Sequence, residues 1–139
     1  MDGIAFEDLA VGQTASFSKT ITEADILLFA AVSGDTNPVH IDAEAAAASM
    51  FKERIAHGML SASLISTVLG TKLPGPGTVY LGQSLKFRAP VRIGETVTAR
   101  VTVTALDPAR RRATLETVCT VKGKPVVEGE AQVMVQARA

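Results

Sequence analysis

The chain has 139 residues, 47% of them hydrophobic and 20% charged, with 14 basic residues against 14 acidic ones. Its length fits one domain, read as residues 1–139, with a core of ordinary size. The charge balance offers no basic footprint for a polyphosphate backbone, which argues against nucleic acid as the main partner. No apolar run approaches the ~20 residues that a helical membrane crossing requires. The single cysteine, Cys119, cannot close an internal disulfide, and Met1 to Asp8 lacks the basic-then-apolar order of a secretory signal. The cytoplasm is the expected compartment, with no membrane partner.

Thr14 to Ile21 reads as a short strand. Thr22 can then cap a helix, with Glu23 and Asp25 in its first turn and the run Ile26 to Val32 behind them, a run too apolar for a surface helix. Gly34-Asp35-Thr36-Asn37-Pro38 ends it, and Asp42 can cap a short alanine-rich helix from Ala43 to Met50. A third helix is expected from Gly58 to Lys72, stopped by Leu73-Pro74-Gly75-Pro76-Gly77. Beyond that breaker Tyr80 to Arg88 reads as a strand. The period then becomes two: Val97, Ala99, Val101, Val103 and Ala105 alternate with polar residues. Asp107-Pro108-Ala109-Arg110 turns the chain into a second alternating segment, Ala113 to Val121, and Lys122-Gly123-Lys124 into a third, whose inward face is Val127, Gly129, Ala131, Val133 and Val135. The sum is an α+β chain, a five-stranded antiparallel sheet wrapped around a central helix, which is the hot dog arrangement.

Imidazole chemistry has only His40 and His57 to draw on. Asp35 and His40 bracket Thr36-Asn37-Pro38-Val39, and Pro38 forbids a continuous helix there, so a bent loop can bring carboxylate and imidazole together on one water. The other reading is a turn-capping Asp35 and a hydrogen-bonded loop histidine. Gly58 opens the third helix, so its amide can stabilise a developing anion, or the glycine can simply be a cap. A metal triad of Asp35, His40 and His57 has no ligand-spaced pair behind it. Ser61, Ser63 and Ser66 lack a nucleophile elbow, and Cys119 reads as a small core residue. Arg110-Arg111-Arg112 reads as a solvated turn more readily than as a phosphate contact.

Three motifs in order carry a resemblance: Asp35-Thr36-Asn37-Pro38-Val39-His40-Ile41-Asp42, then Ile55-Ala56-His57-Gly58-Met59, then Tyr80-Leu81-Gly82-Gln83-Ser84-Leu85-Lys86-Phe87 with Pro90-Val91. From about Phe6 to Val135 the chain resembles the MaoC-like (R)-specific enoyl-CoA hydratases, and most closely the short single-hot-dog type that supplies polyhydroxyalkanoate precursors. The resemblance implies hydration of trans-2-enoyl-CoA to (R)-3-hydroxyacyl-CoA. Asp35 and His40 would be the catalytic pair and the Gly58 amide the oxyanion donor. Asn37 would support the loop, and with His57 and Ser66 would belong to the substrate-binding region, Ser66 beside the acyl chain. No cofactor is implied, CoA being part of the acyl-CoA thioester substrate, and a single hot dog implies a homodimer. The alternatives are a hot dog acyl-CoA thioesterase and a non-catalytic acyl-thioester-binding domain.

Overall fold

The computed structural model describes residues 2–139. In chain order it contains strand β1 (Thr14–Thr20), helices α1 (Glu23–Ser33), α2 (Pro38–Ile41), α3 (Ala43–Ala47) and α4 (Gly58–Thr71), and strands β2 (Val79–Gln83), β3 (Lys86–Phe87), β4 (Thr96–Asp107), β5 (Arg112–Val121) and β6 (Lys124–Met134). One antiparallel sheet runs in the order β1-β4-β5-β6-β2, with β3 also paired to β6. Helix α4 lies on its inner face against β1, β4, β5 and β6.

The period-two segments become the middle of this sheet because alternate residues meet the helix. Val97, Ala99, Val101 and Val103 of β4 and Ala113, Leu115, Thr117 and Cys119 of β5 are all buried. They face Leu64, Ile65, Val68 and Leu69 of α4 in one apolar cluster with Val127, Ala131 and Val133 of β6. The β5–β6 turn puts Lys122 and Gly123 at positive φ, the conformation that a tight two-residue hairpin needs. One inward position departs from the alternation: Ala105 is exposed, because the β4–β5 register shifts between Val103 and Ala105 and Leu106 takes over the inward side opposite Ala113.

The expected strand from Tyr80 to Arg88 is divided, which raises the count from five strands to six. Both β2 and β3 pair with β6, but at Ser84 the chain crosses so close to Gly129 that a Cβ there would overlap the Ser84 carbonyl. Glycine at 129 is what permits that approach.

In the helical half, Thr22 and Asp25 form a reciprocal capping box at the start of α1, and Gly34 at φ 78° ends the helix. The run Ile26 to Val32, expected to be too apolar for a surface helix, is only partly covered within the single chain. Only Ile26 and Ala30 of α1 are buried, while Leu28 is 65% and Val32 87% exposed. The sheet's inner face is already filled by α4, so α1 can bury only one stripe. Helix α2 was absent from the sequence expectations; Pro38 occupies its first turn behind the Asn37 cap, where a missing N–H costs nothing. Helix α3 stops at Ala47 rather than Met50.

Candidate active site

The segment between α1 and α2 is folded by its own short polar side chains. Ser33 Oγ donates to the Phe29 carbonyl and accepts from the Asp35 amide. Asp35 Oδ1 accepts from the Asn37 amide at 3.1 Å, and Asn37 Oδ1 from the Val39 amide at 3.3 Å. This series of turns reverses the chain so that α2 presents His40 back toward Asp35. Asn37 thereby holds the loop; its side chain is occupied within it, outside the cavity described below.

The segment before α4 is pinned from two sides. The Ile55 amide donates to the Val39 carbonyl and the Ala56 amide to the Val91 carbonyl. The Ile55 carbonyl is left facing His40, whose Nδ1 lies 2.8 Å from it. A carbonyl only accepts, so Nδ1 carries a proton and Nε2 is the nitrogen free for chemistry. Arg54 supports the same residue from behind: Nε donates to the His40 carbonyl and a terminal nitrogen pairs with Glu23. His57 is 2% exposed, its Nε2 lies 2.9 Å from the Asp35 carbonyl, and its ring stacks on His40 with centroids 3.9 Å apart.

Asp35, His40 and His57 thus each bring one carboxylate oxygen or ring nitrogen to within 4.8 Å of the others. A water bonded to two groups spans up to about 5.5 Å, so one molecule can touch both the Asp35 carboxylate and a ring nitrogen of His40. The alternative reading of Asp35 as a turn cap holds as well, since its Oδ1 does cap the turn. A metal fits this cluster poorly. The His40 and His57 rings are stacked, with planes only 26° apart, and so do not aim their in-plane lone pairs at one ion.

Gly58 is the first residue of α4, so its amide has no carbonyl one turn back. It lines a cavity of about 560 Å³ together with Asp35, His40, His57, Phe87 and Val91. Gly58 is not at positive φ; what requires glycine is Phe87, whose ring would stand 2.6 Å from an added Cβ. Ser66 is exposed and lines a second, mainly apolar groove with Phe29, Tyr80, Leu81 and Leu85. Met59 borders both spaces, so the groove adjoins the cavity along α4.

The remaining sequence candidates lie outside the cluster. Cys119 is buried, with Sγ 3.4 Å from the Ser61 carbonyl, and burial pushes its thiol up to about 12, as suits a core residue. Arg110, Arg111 and Arg112 are exposed at the β4–β5 turn. Three supports had no individual signal in the sequence: the Ile55 carbonyl, the Arg54 guanidinium and the Phe29 ring against His57, centroids 4.8 Å apart. Backbone carbonyls occur at every residue, and only folding shows which one meets a side chain.

Comparisons with known proteins converge on one group. Residues 8–129 match the MaoC like domain model. An (R)-specific enoyl-CoA hydratase of Rhodospirillum rubrum is 63% identical over 133 residues, covering 96% of this chain and 92% of that protein. Among solved structures, an unliganded R-hydratase of Pseudomonas aeruginosa superposes with a TM-score of 0.93 at 49% identity, covering 98% of this chain and 88% of that one. The (R)-hydratase of A. caviae involved in PHA biosynthesis gives 0.90 at 48% identity, covering 93% and 98%.

Proposed function

Because the chain belongs to the MaoC-like domain family, we infer that it is an (R)-specific enoyl-CoA hydratase of the hot dog fold, a hydro-lyase acting on trans-2-enoyl-CoA. The reading is carried by one observation: a carboxylate and an imidazole from two turns of one loop within reach of a single water, beside an unpaired helix-start amide.

In this mechanism the water oxygen bonds to C3 as the C2–C3 π bond breaks, the displaced electrons run to the thioester oxygen, and the Gly58 amide hydrogen-bonds that oxygen. The Asp35–His40 pair takes one proton from the water and delivers one to C2 on the same face, so atoms and charge balance over the turnover. His40 contributes through Nε2, since Nδ1 is engaged by Ile55. Asp35 contributes the carboxylate oxygen that the Asn37 amide leaves free. The acyl chain occupies the groove past Met59 toward Ser66. The reaction shifts no oxidation equivalents to an external acceptor and its anion is met by an amide, so it calls for no metal or redox group; CoA rides on the substrate.

The active form is a homodimer. Support comes from Leu27, Leu28 and Val32 exposed on α1 and from Val79, Tyr80 and Leu81 exposed on β2, an edge strand of the sheet. No helix among the described residues is long and apolar enough to cross a membrane, and the enzyme works in the cytoplasm, where its acyl-CoA substrate and a lone thiol are at home. In line with the A. caviae protein, the (R)-3-hydroxyacyl-CoA product suits polyhydroxyalkanoate synthesis.

The test is loss of the enoyl-thioester absorbance on adding crotonyl-CoA, in the presence of a chelator, with the product oxidised only by an (R)-selective dehydrogenase. An (S) product, or release of free thiol in place of hydration, overturns the reading; light scattering reads the dimer.

A further inference from the structure

We propose that His57 is a positioning residue for the hydration, setting the separation between the Asp35 carboxylate and His40 without touching water or acyl chain; this rests on the hydratase reading. The sequence motif assigns His57 to the substrate-binding region, but its surroundings point elsewhere. The residue borders the cavity but is only 2% exposed, and with one ring nitrogen bonded to a carbonyl and the other buried it presents no polar face to a thioester. Its Nε2 lies 2.9 Å from the Asp35 carbonyl, which only accepts, so that nitrogen carries the proton. Nδ1 is then a lone pair, and it is buried with no hydrogen-bond partner. A buried nitrogen without a partner is a standing cost, and it persists where the rest of the ring is held for another reason.

Here the ring is held by two neighbours. It stacks on His40 with centroids 3.9 Å apart and planes 26° apart, and Phe29 tilts against it at 4.8 Å. His57 is also the residue from which α4 begins, its own carbonyl accepting from the Leu60 and Ser61 amides. One side chain therefore joins the three parts that must keep register: the Asp35 peptide, the His40 ring and the helix start that carries the Gly58 amide. His40 is fixed in addition by Ile55 and Arg54, and the Asp35 carboxylate only by the local Asn37 amide. Among the described residues, the His57 hydrogen bond is the one that ties Asp35 to a distant segment, 22 residues away. Removing the donor releases the carboxylate end of the pair, and a misplacement of about 1 Å is enough to lower a rate by ~10²-fold.

The experiment compares His57→Phe, which keeps a stacking ring without the donor, with His57→Gln, whose amide nitrogen reaches the Nε2 position. Steady-state kinetics on crotonyl-CoA and melting temperatures are measured for both, with imidazole 15N spectra of the unaltered enzyme. The expected result is a kcat lowered about 10- to 100-fold in His57→Phe with KM within about twofold, and most of that loss recovered in His57→Gln. The spectra should show His57 as the Nε2–H tautomer and His40 as the Nδ1–H tautomer. Parental kcat in a folded His57→Phe overturns the proposal, as does a raised KM at unchanged kcat, which would mean direct substrate contact. A His57→Gln no faster than His57→Phe overturns it too. If His57→Phe does not fold, the spectra decide, because a His57 Nδ1–H tautomer is incompatible with the link to Asp35. An unaltered enzyme that leaves crotonyl-CoA untouched sinks the hydratase reading instead, whatever the tautomers.

Discussion

The β4–β5–β6 sheet and the cluster around Asp35 hold their shapes in opposite ways. In the sheet, residues from Val97 to Met134 pair along two long antiparallel ladders, each with one register shift, and the inward side chains, among them Val101, Leu115 and Val133, are fully buried against α4. Any one contact there is backed by neighbours that do the same work. Around Asp35 each critical side chain rests on a single hydrogen bond of its own to a distant segment: the His40 ring on the Ile55 carbonyl 15 residues on, and the His57 ring on the Asp35 carbonyl 22 residues back. Redundancy gives the sheet its stability, and its absence lets the site keep unpaired polar groups available for a substrate. Substitutions in the two regions should therefore separate, with rate lost at one and stability at the other.

The largest effect should come at the pair itself. Asp35→Asn and His40→Gln should each lower hydration of crotonyl-CoA by about 10²- to 10⁴-fold with a melting temperature near the parent's. The double variant should lose less than the product of the two, as groups acting on one water do. A melting temperature that falls with the rate would break the contrast.

The converse experiment is Leu115→Ala, which leaves a cavity at the sheet–helix interface. It should cost about 2–5 kcal/mol of stability in a urea titration while the folded fraction turns over near the parental rate. A specific loss of kcat there would show that the sheet shapes the site more directly than a frame does.

Gly58→Pro removes the proposed oxyanion donor at a position where a helix needs no N–H. Glycine's freedom of φ is not in use there, but an added Cβ would stand 2.6 Å from the Phe87 ring, which also lines the cavity, so Gly58→Ala, which keeps the amide, controls for that overlap. Turnover of the proline variant should fall by roughly 10²-fold or more. A well-folded variant with near-normal turnover would remove this amide from the mechanism.

The smallest effect is expected at Ser66. Exchange for Phe should leave crotonyl-CoA hydration close to parental and lower kcat/KM for longer enoyl chains by roughly tenfold, since a few methylenes in an apolar groove carry only that much discrimination. An unchanged chain-length profile would remove Ser66 from the acyl groove.

Much of this was legible in the residues. The alternation of β4 to β6, the Thr22 cap, the Gly34 stop and the proline–glycine breaker after α4 act over one or two turns of chain, where local sterics and hydrogen bonding decide. The family motifs also singled out Asp35, His40 and Gly58, which the fold brings to one cavity. The misread positions are those where a distant partner intervenes. Ala105 turns outward because of a register shift against β5, and the Tyr80 to Arg88 strand divides where Ser84 meets Gly129. Within the single chain helix α1 buries only one stripe, because α4 already fills the inner face of the sheet. Local chemistry thus determined the elements, and the family motifs pointed to the proposed reacting groups. Tertiary structure alone decided which nitrogen of each histidine is free, because that depends on where the carbonyls of Ile55 and Asp35 arrive, and no side-chain pattern encodes the direction of a backbone carbonyl.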